Sequence, residues 1–267
     1  SSDLQEIIKI FGMLGESPEG KVFKGSDRYL SNKTEPVESP AARDLVKLAN
    51  ESDELLYVVA IGEITNIASA ILMDPEIIKK IVVIWLGGHP LYWPHAVEFN
   101  LGQDPLASQI IFDCGVPLVL VPCMTVASNL TVTAEELRAN LYGKSKIATY
   151  LTDIVTSQLN PKEAANMLDL FRLTYLKGAD DCEESTVAGE VFGKMAPSRI
   201  VWDISTIGYL INPIWCPSTI VESPVLTDDL KWEKSADKNR HLMRICNFVY
   251  RDGIFGDMFE KLANSPL

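Results

Sequence analysis

The residues best suited to chemistry lie in the stretch Ile81 to Asp104, I-V-V-I-W-L-G-G-H-P-L-Y-W-P-H-A-V-E-F-N-L-G-Q-D. Beyond Gly88 it loses all periodicity and gathers His89, Tyr92, Trp93, His95, Glu98 and Asn100, a composition poor for a core and suited to a pocket wall. Histidine titrates near neutrality, so His89 or His95 could pass a proton, or simply hold a hydrogen bond. If Glu98-Phe99-Asn100 is extended, it sets a carboxylate and an amide on one side and an aromatic on the other; otherwise it is a solvated loop. Two positions outside the stretch join these. Thr65 follows an apolar run directly, where it either offers an oxygen over the end of a strand or satisfies its own helix amides. Asp203 follows a strand-like triplet and is either a helix cap or a free carboxylate. The neighbouring Trp202 could stack on a flat group or fill core.

The elements that must position these residues are legible as patterns. Leu55 to Ile61, Ile81 to Leu86 and Pro117 to Val121 are continuous apolar runs of the kind buried on both faces of a sheet. Between them lie helices over Ile67 to Met73, entered by the turn Gly62-Glu63-Ile64-Thr65-Asn66, and over Pro105 to Cys114, with Asp104 as cap and proline at the first position. This β-α-β-α-β order predicts parallel strands with right-handed crossovers, and ligands in such sheets sit beyond the carboxyl ends of strands. A helix over Leu4 to Met13, an extended piece at Lys21 to Lys24 and a helix capped by Ser39 precede the first strand. Helices are expected over Ala134 to Leu141, Ile147 to Leu159, Ala164 to Leu176, Ile204 to Ile211 and Asp252 to Leu262. Gly178 to Ser185 reads as an acidic surface loop, and Ser218 to Tyr250 as short antiparallel strands.

Composition narrows the function. The chain has 267 residues, 47% hydrophobic, enough for one large core, and is read as a single α/β domain, a mostly parallel open sheet flanked by helices. A formal charge of -12 with no Lys or Arg cluster disfavours nucleic acid and anionic membrane as partners. Five scattered cysteines with no C-x-x-C pair favour a reducing, cytoplasmic setting. No G-x-G-x-x-G follows a strand, which argues against a dinucleotide-dependent oxidoreductase.

Three separated segments, I-G-E-I-T-N-I-A-S-A-I-L-M-D-P-E-I-I-K-K-I-V-V-I-W-L-G-G, V-E-F-N-L-G-Q-D-P-L-A-S and V-W-D-I-S-T-I-G-Y-L-I-N-P, resemble the inosine-uridine-preferring nucleoside hydrolase family in the same order. The resemblance implies the nucleoside hydrolase fold, hydrolysis of the N-glycosidic bond of a ribonucleoside or related riboside, a calcium ion and a homodimer or homotetramer. It carries the family's threonine carbonyl ligand onto Thr65, its carboxylate ligand onto Asp203, and its ribose-binding residues onto Glu98 and Asn100. Glu98, Asn100 and Asp203 are thereby the expected catalytic residues. Trp202 stands where many members place a histidine that protonates the leaving base, so Trp202 and Trp93 are expected to line the leaving-group pocket, with His89 as a further substrate contact.

One departure matters. The family's first strand ends in a D-x-D-x-x-x-D-D cluster that supplies the remaining calcium ligands and the general base, and these residues contain none. The chain is therefore read as a domain without its first strand and metal-binding loop, either because the numbering omits that piece or because the protein lacks it. In the latter case the rival expectation is a non-catalytic relic that binds ribose or a nucleoside.

Overall fold

All three continuous apolar runs form strands. In the computed structural model, which describes residues 2–157, 159, 198–236 and 240–265, they are β1 (Leu56–Ala60), β2 (Ile81–Leu86) and β3 (Leu118–Val121). The strands run parallel, with Leu56 beside Ile81 and Val83 beside Leu118. The tail completes the sheet. Strand β9 (Leu242–Cys246) lies parallel beside β3, and β6 (Ser218–Glu222) pairs antiparallel with β9, giving the order β1-β2-β3-β9-β6. This is the mostly parallel α/β sheet the sequence predicts. Antiparallel pairing in the tail is therefore only part of its arrangement. Two further pairs are small: β4 (Thr131–Thr133) with β5 (Ser198–Ile200), and β7 (Val225–Leu226) with β8 (Trp232–Glu233).

Successive side chains of a strand point to opposite faces, so β2 feeds two cores. Ile81, Val83 and Trp85 join Leu118 and Leu120 under α2 (Pro40–Glu51), α3 (Thr65–Met73) and α5 (Pro105–Asp113). Ile84 and Leu86 join Val119 and Val121 under α6 (Ala134–Asn140), α7 (Lys146–Ser157), α8 (Ile204–Ile211) and α9 (Arg251–Ala263). Burial on both faces is why these strands carry no polar alternation. Strand β1 forms the sheet's edge, and Leu55, Tyr57 and Ile61 on it and beside it are exposed.

Helix α1 (Ser2–Met13) stands where expected, and Ser39 caps α2 by accepting from the Ala42 amide at 3.1 Å. Lys21 to Lys24 forms no strand; the Val22 amide is spent on the Pro18 carbonyl, a turn contact. The helix expected over Ala164 to Leu176 and the acidic loop Gly178 to Ser185 lie outside the described residues. Among the described residues no helix is long and apolar enough to cross a membrane.

Candidate functional site at the carboxyl ends of β1 and β2

The chain leaves β2 through two glycines, and each is required by what lies against it. A Cβ on Gly87 would meet the Trp85 ring at 2.6 Å, because that indole folds across to donate to the Gly62 carbonyl at 3.0 Å. Gly88 has φ +64, and a Cβ there would meet Leu101 at 2.9 Å and Trp232 at 3.0 Å. The tight exit brings the start of the short helix α4 (Phe99–Gln103) back over the end of β2.

Glu98 is the N-cap of α4 and only 4% exposed. One carboxylate oxygen, Oε2, accepts from the Gly88 amide at 2.9 Å and the Leu101 amide at 3.1 Å; Oε1 accepts from the Asn100 amide at 3.1 Å. The expectation of a solvated loop fails here: the side chain is internal and built into the corner. Burial holds the Glu98 carboxyl above its ordinary range, opposed by its amide donors. Two carboxylate oxygens offer about four acceptor positions, and the backbone amides around Glu98, with that of Phe99 beside the three named, occupy most of them. Asn100 points to the same rim. Its Nδ2 donates to the Leu86 carbonyl at 2.9 Å and lies 3.4 Å from the Ile61 carbonyl, tying the ends of β2 and β1. Its Oδ1 accepts no hydrogen bond from the described residues. Phe99 between them faces solvent.

Thr65 opens α3 and is buried, yet it does not cap that helix. The N-cap is Ile64, without a side-chain bond, while the Thr65 hydroxyl donates to Asp104 Oδ2 at 2.6 Å. Asp104 caps α5 as predicted, through Oδ1 and the Ala107 amide at 3.0 Å, and Oδ2 also accepts from the Leu30 amide at 3.0 Å. Thr65, Glu98 and Asn100 are thus brought together around one rim, at the ends of neighbouring strands.

Asp203 occupies the N-cap position of α8, but its side chain makes no capping bond. Of the two sequence readings, the cap fails. The residue is exposed overall, but its carboxyl lies close enough to protein to be held above the usual range, with burial the main cause and the Arg199 guanidinium opposing it. Helix α8 packs against β1 and β2, on the face opposite α3. Trp202 is half-buried and packs against the core on that face; no ring contact joins it to Trp93 among the described residues.

His89 is fully buried. Its ring centroid lies 5.7 Å from that of Trp93 and 5.6 Å from that of His95. Burial, then the neighbouring His95, lowers its pKa to about 4, so the imidazole is neutral near pH 7. Expected as a substrate contact, it offers no face to a ligand in this arrangement. His95 is half-buried, and its Nδ1 is buried with no hydrogen-bond partner among the described residues. A cavity of about 230 Å³, lined by residues including Tyr92, Thr125, Asn247 and Ile245, lies elsewhere along the sheet and is lined by none of Thr65, Glu98, Asn100 and Asp203.

Calcium takes six to eight oxygens. Among the described residues no group of three or more His, Cys, Asp or Glu side chains could hold a metal. The Thr65 carbonyl and the uncommitted Asp203 carboxylate are too few to form a calcium site by themselves.

Sequence reasoning passed over two residues. Asp104 was read only as a cap, and the signal for more was its charge, since an uncharged residue caps as well. Asn66 accepts from the Ser26 amide at 2.8 Å and from the Ser26 and Ser39 hydroxyls, each at 3.0 Å. An asparagine in a helix's first turn, a poor helix former that prefers caps and turns, was the available hint.

Comparison with known proteins agrees with this architecture. The solved structure of a purine-preferring ribonucleoside hydrolase from Gardnerella vaginalis superposes with a TM-score of 0.69 at 17% identity, covering 97% of this chain and 84% of that one. A plant nucleoside hydrolase, PpNRh1, gives 0.64 at 17% identity, covering 99% and 85%. At such identity these likenesses concern the fold. In sequence, the chain is 31% identical over 145 residues to a probable uridine nucleosidase 2 of Arabidopsis thaliana, covering 51% of this chain and 43% of that protein. It is 38% identical over 88 residues to the pyrimidine-specific ribonucleoside hydrolase RihA of Enterobacter sp. (strain 638), covering 32% and 28%. The matched region is thus less than half the length of either curated relative. The family described as inosine-uridine preferring nucleoside hydrolase matches residues 6–241, which is most of the sequence, and the chain belongs to that family.

Proposed function

We propose that the protein cleaves the N-glycosidic bond of a ribonucleoside or related riboside by hydrolysis, with the sugar held at the rim formed by β1, β2 and α4. The observation that carries this reading is the pairing of Glu98 and Asn100. A neutral sugar presents hydroxyl donors; Asn100 Oδ1 is unspent, and the Glu98 carboxylate beside it is an acceptor-only group held in place by backbone amides. Family membership supports the reaction type.

In the reaction, water attacks the anomeric carbon as the carbon–nitrogen bond to the base breaks, through a state with positive charge on the sugar. A carboxylate at Glu98, fixed by backbone donors, opposes that charge without reorganising. Asp203, its side chain free of capping, is the group proposed to act on the water. Calcium is proposed as the ion that Thr65 and Asp203 would share with sugar hydroxyls, water and further protein oxygens, and it would supply a lowered pKa to the water it held. Trp93 and Trp202 are proposed for the leaving-group side, where flat rings favour a flat base. A reducing, cytoplasmic setting belongs to the same proposal and rests on the scatter of the five cysteines along the sequence, with no C-x-x-C pair. Assembly as a homodimer or homotetramer rests on the family resemblance.

The second reading, riboside binding without turnover, draws on the commitment of Glu98 and Asp104 to backbone amides, which leaves Asp203 as the one carboxylate of the proposed set without a hydrogen bond to a helix amide. The test is reducing-sugar release from a panel of nucleosides, with and without chelator, alongside calorimetry of ribose. Release that the chelator stops supports hydrolysis with an ion; tight binding with no release supports the second reading.

A further inference from the structure

Asp104 does more than begin a helix. Capping α5 needs one oxygen, and Ser39 does the same for α2 without a charge. Asp104 is nevertheless an aspartate, 1% exposed, with no ion pair among the described residues. Burying a carboxylate without a counter-ion is costly unless hydrogen bonds replace the lost water. Here they do: Oδ2 takes the Leu30 amide and the Thr65 hydroxyl, the latter at 2.6 Å, within the range of a charge-assisted bond. The Thr65 hydroxyl is correspondingly turned away from the amides of its own helix.

We infer that Asp104 is a positioning residue, whose carboxylate locks the Thr65 turn to the α4–α5 corner carrying Glu98 and Asn100, so that both halves of the rim move as one. This rests on the proposed function for its purpose, though the lock itself is a matter of geometry. Asp104 ends α4 as well as starting α5, and Glu98 and Asn100 lie at the other end of that five-residue helix. The Ser108 hydroxyl, 2.9 Å from the Leu101 carbonyl and 3.0 Å from that of Asp104, stiffens the junction. The segment 26–30 closes a ring around the same elements. Ser26 is bound to Asn66 beside Thr65, Leu30 to Asp104, and the Tyr29 hydroxyl to Gln103 Oε1 at 3.0 Å.

Amide hydrogen exchange on the whole chain tests the lock. The amides of Gly88, Asn100 and Leu101 are held by Glu98 and touch neither Thr65 nor Asp104. Thr65→Val removes the donor to Asp104 and keeps the main-chain carbonyl. Their exchange is expected to quicken about tenfold in that variant, the scale of one lost charge-assisted bond, and to return to wild-type rates in Thr65→Ser. In the turnover assay Thr65→Val raises KM for a nucleoside by a similar factor. Unchanged exchange at those three amides in both Thr65→Val and Asp104→Asn overturns the inference. So does uniform quickening throughout the protein, which marks general loss of stability. A wild-type protein that releases no ribose, with the exchange coupling intact, sinks the proposed function and leaves the lock standing.

Discussion

Replacing Glu98 perturbs fold and function together, and the structure says by how much. In Glu98→Ala three amides lose their acceptor: Gly88 at 2.9 Å, and Asn100 and Leu101, each at 3.1 Å. The latter two open α4, so their loss resembles removal of an N-cap, about 1 kcal/mol. The Gly88 amide is left buried without a partner, at about 1–3 kcal/mol. Relief of a buried carboxyl, whose pKa burial already raises, offsets a part of this. A net loss of about 2–4 kcal/mol is expected, a large fraction of ordinary domain stability. For a chain of this length that corresponds to a fall of roughly 5–15 °C in Tm. Glu98→Gln keeps one acceptor and is expected to lose about half as much. Thermal unfolding, read in parallel with ribose release, is the assay, because lost activity in the alanine variant alone would not separate grip on the sugar from collapse of the corner. A Tm for Glu98→Ala within about 2 °C of wild type would refute the structural role assigned to the carboxylate.

Acid should weaken the fold through His89. Its folded pKa of about 4 lies below the ordinary 6.5, so the unfolded chain binds the extra proton in between, and stability falls as pH drops across that window. The loss approaches about 3 kcal/mol near pH 4, and urea unfolding of His89→Gln is expected to lack that limb. Gly88→Ala forces a side chain into φ +64 against Leu101 and Trp232, and is expected to cost about 2–4 kcal/mol by urea denaturation and to abolish ribose release. A well-folded, active Gly88→Ala protein would contradict the geometry given for the β2 exit.

What the sequence made legible follows from how local each feature is. Ile81 to Leu86 and Pro117 to Val121 could be read as strands because burial on both faces leaves no polar residue to blur the run, and Leu55 to Ile61, though it lies at the sheet's edge, is as continuously apolar. Ser39 and Asp104 announced helices because cap and proline are adjacent in the chain. Lys21 to Lys24, expected only as an extended piece, joins no sheet, since an extended stretch becomes a strand only if a distant partner pairs with it. Strand β9 could not be ordered beside β3 for the same reason: their pairing joins distant parts of the chain. At the site the limit is sharper. Thr65 and Asp203 both looked like caps, and neither side chain caps; Glu98 was open between an extended piece and a solvated loop, and it is a buried cap. Which hydroxyl or carboxylate serves a helix depended on Asp104, Gly88 and other groups brought in by the fold. The family resemblance singled out all three, whereas local propensity alone favoured a cap at Thr65 and Asp203 and decided nothing at Glu98.

Asp203→Asn is the most direct test. Its side chain makes no capping bond, so the substitution is expected to leave Tm within about 2 °C while ribose release from uridine or inosine falls at least about a hundredfold. Undiminished release by that variant, or a loss matched by a comparable drop in Tm, would contradict the assignment of this carboxylate to chemistry at the rim.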